Sequence, residues 1–179
     1  MNDNLSKNIK KKLRVINNFP KKGVKFQDIT SITDNPKLFS ETVKEIALYA
    51  KKNCITKIAG IEARGFIFGS AVAVKNNIAF VPIRKKNKLP GKVFKKKYKL
   101  EYGFDEIQVH KNAINKKDKV LIVDDLIATG GTALATADLI NKFAPQNISC
   151  FFIINLSNLG GFKKIQKRFN AEAIIQAEG

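Results

Sequence analysis

The sequence predicts an α/β domain with a mostly parallel central sheet flanked by helices, and three observations carry that prediction. Short aliphatic runs alternate with helix-period segments between residues 57 and 155. The runs are apolar throughout, as strands buried inside a sheet are. One of them, Lys119–Val123, leads through two acids and a glycine-rich turn straight into a helix, the arrangement of a strand-to-helix crossing in a parallel sheet.

Taken in order, Leu5, Ile9, Leu13 and Ile16 share helical spacing and predict a helix over residues 5–16. Asn18-Phe19-Pro20-Lys21-Lys22-Gly23 is a turn by its Pro and Gly. Residues 24–31 are mixed and read as short strand or loop. Pro36 suits a first helical position, and Leu38, Phe39, Val43, Ile46 and Ala50 form the stripe of a helix running to Lys52. A strand over 57–61, a buried Ala-rich helix over 65–75 and a strand over 78–83 follow. Residues 84–97 are Lys-rich, hold Gly and Pro, and show no clear period; so long a loop in a small domain is commonly functional or mobile. Residues 98–102 and 106–110 read as two short strands. The pattern closes with a strand over 119–123, a helix over 132–143 and a strand over 147–155. No repeat or linker interrupts it, so residues 1–179 form a single domain, long enough to bury a substantial core.

Composition narrows the function. Hydrophobic residues make up 44% of the chain, which speaks for a folded domain rather than disorder. No apolar run approaches membrane-span length, and the polar, Lys-rich start does not resemble a signal peptide. Cys54 and Cys150 lack metal-ligand spacing and read as buried small side chains in a reducing compartment, so the expected location is cytoplasmic. The net charge of +18 raises nucleic-acid binding, but Arg14, Arg64, Arg84 and Arg168 are the only arginines, and the lysines are scattered among asparagines. That distribution predicts a general pull on polyanionic substrates rather than a groove-reading surface. His110, the lone histidine, is assigned no role.

The chemistry sits in Lys119-Val-Leu-Ile-Val-Asp-Asp-Leu-Ile-Ala-Thr-Gly-Gly-Thr132. A buried strand ends in Asp124 and Asp125, and Ala128-Thr129-Gly130-Gly131-Thr132 opens the next helix. In parallel sheets ligands gather at the carboxyl ends of strands. A Gly-rich turn lets backbone N–H groups approach a phosphate, and the helix N-terminus favours the anion. The Thr129 and Thr132 hydroxyls add donors, and paired carboxylates before the turn can accept hydrogen bonds from sugar hydroxyls. Together these describe a ribose 5-phosphate site. A Walker loop is excluded because no Lys follows the glycines, and GxGxxG is absent.

The stretch Val123–Thr132 resembles the phosphoribosyl-pyrophosphate signature of type I phosphoribosyltransferases, and three further segments resemble the adenine phosphoribosyltransferase family. Together they span Phe19 to about Leu159. The resemblance implies a type I phosphoribosyltransferase-like fold with an N-terminal hood (residues 1–35) and a mobile lid (residues 84–104). Phe19–Thr30 matches the hood; Val24, Lys25, Phe26 and Gln27 would line an adenine pocket, with the Phe26 ring stacked on the purine. The family often has Arg where this chain has Gln27. Gly60-Ile-Glu-Ala-Arg-Gly-Phe66 matches the pyrophosphate loop, implying a non-proline cis peptide between Glu62 and Ala63 and a leaving-group contact from Arg64. In the lid, Arg84, Lys85 and Lys88 match positions near the pyrophosphate, and Glu101-Tyr102 matches an acidic-aromatic pair.

The implied activity joins adenine to phosphoribosyl pyrophosphate, giving AMP and pyrophosphate in purine salvage. Arg64 would stabilise the leaving group and Glu101 would assist proton movement at the base. Mg²⁺ would travel with the substrate, with no direct protein ligand beyond water-mediated contact to Asp124 and Asp125. The family further implies a homodimer.

Overall fold

The computed structural model describes residues 3–99 and 103–179. The predicted first helix stops early: α1 (Asp3–Lys12) buries Leu5 and Ile9, and the chain then enters β1 (Arg14–Asn17). β1 pairs antiparallel with β2 (Lys25–Asp28), so Ile16 sits opposite Phe26 in a two-stranded ribbon. The β-branched pair Val15-Ile16 favours strand there, after three lysines have closed the helix at its negative end. Within the connecting turn the Gly23 N–H donates to Asn18 Oδ1 at 2.9 Å. This ribbon lies within residues 1–35, the segment expected to form the hood. After α2 (Thr30–Thr33), α3 (Pro36–Lys52) starts as expected, with Pro36 in its first turn and Asn35 Oδ1 accepting from the Leu38 N–H at 3.0 Å.

Then come β3 (Lys57–Ile61), α4 (Arg64–Asn76), β4 (Ala79–Lys85), β5 (Val93–Lys99), β6 (Phe104–His110), β7 (Lys119–Ile127), α5 (Gly131–Asn141), β8 (Asn147–Leu156), α6 (Gly161–Gln166) and β9 (Asn170–Ala177). Seven strands form one sheet in the order β5-β6-β4-β3-β7-β8-β9. The five strands from β4 to β9 in that order are parallel; β5 and β6 are an antiparallel hairpin added at one edge. Because β3 pairs with β4 on one side and β7 on the other, the strand order reverses there, and a crevice opens beyond their carboxyl ends.

The sheet is covered on both faces. Along β7, Leu121 and Val123 pack with Ile46 of α3 and Phe68 of α4, while Val120 and Ile122 pack with Leu139 of α5 and Ile165 of α6. All four β7 residues are fully buried, each worth about 1.5–3 kcal/mol of hydrophobic stabilisation. No helix among the described residues is long and apolar enough to cross a membrane.

Three expectations need correction. Residues 84–97 are not one loop: β4 runs through Lys85, and β5 begins at Val93. Phe94, Lys96 and Tyr98 alternate with exposed Lys95, Lys97 and Lys99, and the inward Lys96 hides that alternation in the sequence. The C-terminal segment, given no element above, supplies α6 and the edge strand β9. Cys54 is exposed, at a positive φ of 52° after α3, while Cys150 is buried as expected.

Candidate active site

A cavity of about 570 Å³ opens at the carboxyl ends of β3 and β7. Two strand-to-helix turns form its walls. The first is Glu62-Ala63, joined by a cis peptide bond and leading into α4 at Arg64. The second is Ala128–Gly131, leading from β7 into α5. Gly130 carries φ +84°, a conformation that costs side-chain-bearing residues about 1–2 kcal/mol, so the turn that aims the first N–H groups of α5 at the cavity requires glycine.

The acids lie within β7 rather than after it. Asp125 is buried, and its Oδ2 lies 2.8 Å from Arg64 Nε, an ion pair that joins the two turns. Asp124 Oδ1 accepts the Asp125 N–H at 2.9 Å. Asp124 keeps part of its surface on the cavity but is ringed by protein. Burial, then the neighbouring Asp125 charge, hold its carboxyl well above the usual range. Asp125 is also raised, chiefly by burial, against the lowering pull of Arg64.

Across the cavity β4 and the β5–β6 hairpin present Lys85, Tyr98 and Asp105. Tyr98 donates its hydroxyl to Asp105 Oδ2 at 3.3 Å, and Lys85 Nζ lies 3.6 Å from the same oxygen. Burial pushes the Tyr98 hydroxyl above its ordinary range. Tyr98 and Asp105 are not among the expected site residues, although the alternation that aims Tyr98 inward is present in β5. Nor is Gly161, and this glycine packs on the turn so closely that an added Cβ would overlap the Ala128 carbonyl and the Gly130 nitrogen. Its N–H donates to the Ala128 carbonyl at 3.1 Å.

Of the predicted site residues, Glu62, Ala63, Arg64, Lys85, Asp124, Asp125, Ala128, Thr129, Gly130, Gly131 and Thr132 line this one cavity. Arg84 and Lys88 do not. Arg84 makes a two-pronged pair with Glu62, at 3.2 Å on each oxygen, and its Nη1 reaches the Lys88 carbonyl. The Arg84 hydrogen bonds hold the Glu62 carboxyl below its usual range, and the Lys85 N–H adds a further one at 2.9 Å. Arg84 thus braces the first turn against β4. The hood residues Val24–Gln27 lie outside the cavity wall but touch it at one point: the Arg64 guanidinium lies over the Phe26 ring, 5.6 Å from its centroid. Phe19 meets Phe26 edge to face at 5.1 Å. Gln27 is buried and turned away from the cavity. Glu101 and Tyr102 fall outside the described residues.

Two strand-to-helix turns and an acid pair at the switch point of a parallel sheet have the form of a phosphoribosyl-transferring class of protein, and the model of the phosphoribosyl transferase domain matches residues 28–173. An adenine phosphoribosyltransferase of Clostridium botulinum is 46% identical over 94% of this chain and 98% of its own. The crystal structure of the adenine phosphoribosyltransferase of Rhodothermus marinus superposes with a TM-score of 0.91 at 38% identity, covering 98% of this chain and 100% of that one. That of Saccharomyces cerevisiae, complexed with an imino-altritol bisphosphate and adenine, gives a TM-score of 0.90 at 35% identity, covering 96% and 99%. The chain belongs to the adenine phosphoribosyltransferase family.

Proposed function

We propose that this protein transfers the phosphoribosyl group of phosphoribosyl pyrophosphate to adenine, releasing AMP and pyrophosphate, with the 570 Å³ cavity as its centre. The observation that carries this reading is the acid pair Asp124-Asp125 set just before the Gly130 turn, with Arg64 paired to Asp125 and Lys85 across the cavity. The 5′-phosphate sits at the N-terminus of α5, on the N–H groups of Thr129–Thr132 and the two threonine hydroxyls. The acid pair accepts the ribose hydroxyls. Lys85 faces the pyrophosphate, and so does Arg64 once it exchanges Asp125 for phosphate oxygens.

A ring nitrogen of adenine then bonds to the anomeric carbon as the carbon–oxygen bond to pyrophosphate breaks, with inversion. The nitrogen's proton leaves to solvent or to Glu101 on the lid. Because the transition state is loose, positioning and charge stabilisation do most of the work. Phe26 stacks on the purine, and the lid closes to keep water from the ribosyl cation.

Two adjacent carboxylates at a cavity wall fit a Mg²⁺ ion that keeps most of its shell on substrate and water. Bound there, the ion would neutralise pyrophosphate charge. The same reading gives a cytoplasmic homodimer; an exposed free thiol at Cys54 suits a reducing compartment, and exposed Ile67 and Val74 on α4 supply apolar surface for a partner copy.

The test is a pyrophosphate-release assay with phosphoribosyl pyrophosphate and Mg²⁺, comparing adenine, hypoxanthine, guanine and xanthine. Turnover with adenine alone is expected. Turnover with another base instead would move the specificity, and none with any base would leave a ligand-binding regulator.

A further inference from the structure

The hood has a second support that faces away from the cavity. A two-stranded ribbon is marginal by itself, and among the described residues β2 pairs only with β1. Side chains alternate along a strand, so Phe26 points to Arg64 while its neighbours Lys25 and Gln27 point the other way. There they meet Glu178. Gln27, only 4% exposed, donates from Nε2 to the Glu178 carbonyl at 2.9 Å. Lys25 Nζ lies 3.0 Å from Glu178 Oε2, an exposed pair of small worth.

The same tail is tied on its far side to the turn Ser157–Leu159. The Gly179 N–H donates to Asn158 Oδ1 at 3.0 Å, and the Ser157 hydroxyl donates to the Ala177 carbonyl at 3.3 Å. A Cβ built on Gly179 would lie 3.0 Å from Leu159 Cδ1, so the tail also rests on that side chain. Residues 177–179 therefore bridge the hood to the rim of the main sheet beyond β8.

We infer that this tail sets the position of Phe26 through Gln27, which makes Gln27 a positioning residue for the base rather than a contact to it. The inference rests on the proposed stacking of adenine on Phe26. A hood held in place costs less ordering when the base binds, so loosening it weakens adenine binding selectively. The phosphate turns, attached to the main sheet, are left as they are.

Gln27→Met is the informative variant. It removes the donor at similar length and also removes Gln27 Oε1, a buried acceptor with no partner, so thermal stability should stay near that of the parent. The expected result is a rise of about 5- to 10-fold in KM for adenine, with KM for phosphoribosyl pyrophosphate and kcat within about twofold. Deletion of residues 178–179 should act in the same direction. Gln27→Arg retains a donor toward Glu178 and should restore the parental KM. An unchanged KM for adenine in both Gln27→Met and the deletion, or an equal rise for both substrates, overturns the inference. Phe26→Ala separates the two layers. If it too leaves KM for adenine unchanged, the stacking assignment has failed; if it alone raises KM, only the tail's role has failed.

Discussion

The two strand-end turns and the two covers of the cavity are built on different principles. The turns are local: Glu62–Arg64 and Ala128–Gly131 each span a few residues between a fully paired strand and a helix, and the Arg64–Asp125 pair at 2.8 Å joins them. The covers are assembled from distant pieces. The hood segment leans on Glu178, and β5 leans on α5 through Lys96–Asp138 and on Phe143 just beyond that helix through Phe94. The difference teaches that the half that would hold the anions on the proposed function is firm because each turn is anchored between a strand inside the sheet and a helix. The ribbon β1–β2 is tied to the rest of the molecule by side-chain contacts, and β5 is an edge strand paired on one side only, which suits parts that would open for substrate on the proposed function. Damage to the turns should therefore reach the chemistry, and damage to the covers should reach binding and gating.

The largest effect should come from the acids. Replacing Asp124 and Asp125 together by Asn removes two charged acceptors from the ribose, each worth about 1.5–3 kcal/mol as a hydrogen bond to a charged group. The expected loss in kcat/KM for phosphoribosyl pyrophosphate is about 100- to 10,000-fold. A loss below tenfold would mean that the acids do not hold the sugar, and the division between turns and covers would lose its chemical basis.

Next comes Gly161→Ala. The added methyl overlaps the Ala128 carbonyl and the Gly130 nitrogen, so the Ala128–Gly131 turn, which would hold the phosphate on the proposed function, has to shift. Overpacking of this kind costs about 1–3 kcal/mol, which corresponds to a rise of about 5- to 100-fold in KM for phosphoribosyl pyrophosphate. The hood offers the contrast. Gly23 has φ +88° with open space around it, so Gly23→Ala strains only its own turn and should leave that KM unchanged. Equal effects from the two alanines would break the comparison.

The same division explains what the sequence disclosed. Val120–Val123 announced a buried strand because every residue is apolar, and Gly130 announced a turn because its φ admits little else. Both features are local, and their chemistry followed from the residues alone. β5 stayed hidden because Lys96, on the inward face, has no charged partner nearby in the sequence: it meets Asp138 on α5, 42 positions further along the chain, at 3.0 Å. Gln27 likewise reads as a departure from the family until its amide is seen on the Glu178 carbonyl, 151 residues away. Arg84 was legible as a cation near the lid but not as the partner of Glu62, since a bidentate pair across a sheet leaves no trace in spacing. The cis peptide at Glu62-Ala63 and the hood were legible only through family resemblance.

A third prediction uses pH to separate the halves. Asp124 is held well above 3.8 by burial first and by the Asp125 charge second. Between the ordinary and the raised value the folded protein binds more protons than the unfolded chain, so in this window stability falls as pH rises. On the proposed function activity runs the other way, because the ribose would need the carboxylate. The acid limb of kcat/KM should thus lie above the usual carboxylate range. Asp125→Asn removes one cause of the shift and should move the limb to lower pH, by about one unit for each 1.4 kcal/mol of repulsion removed. Glu62, lowered by its Arg84 hydrogen bonds, has the opposite sign: its stabilisation is full above its unfolded value of 4.5 and is lost as pH falls through the lowered one. A pH profile that Asp125→Asn does not move would show that burial alone sets the limb.

The smallest effect should come from the lid. Asp138 is 29% exposed on its side chain and receives both Lys96 Nζ at 3.0 Å and Arg168 Nη2 at 2.6 Å. Burial raises its carboxyl, but the hydrogen bonds from Arg168 and then Lys96 outweigh it and hold it below the usual range. Because Lys96 and Arg168 are themselves 39% and 48% exposed, water screens both pairs, and each is worth at most about 1 kcal/mol. Asp138→Asn should therefore speed amide exchange across residues 93–99 by about 2- to 5-fold and leave residues 119–127 unaltered. Phe94→Ala, which also removes the edge-to-face contact with Phe143 at 5.1 Å, should speed it further in the same segment. Exchange that rises equally in β7 would mean that the lid strand is part of the rigid half after all, since the sheet would then be opening as one unit rather than shedding its edge.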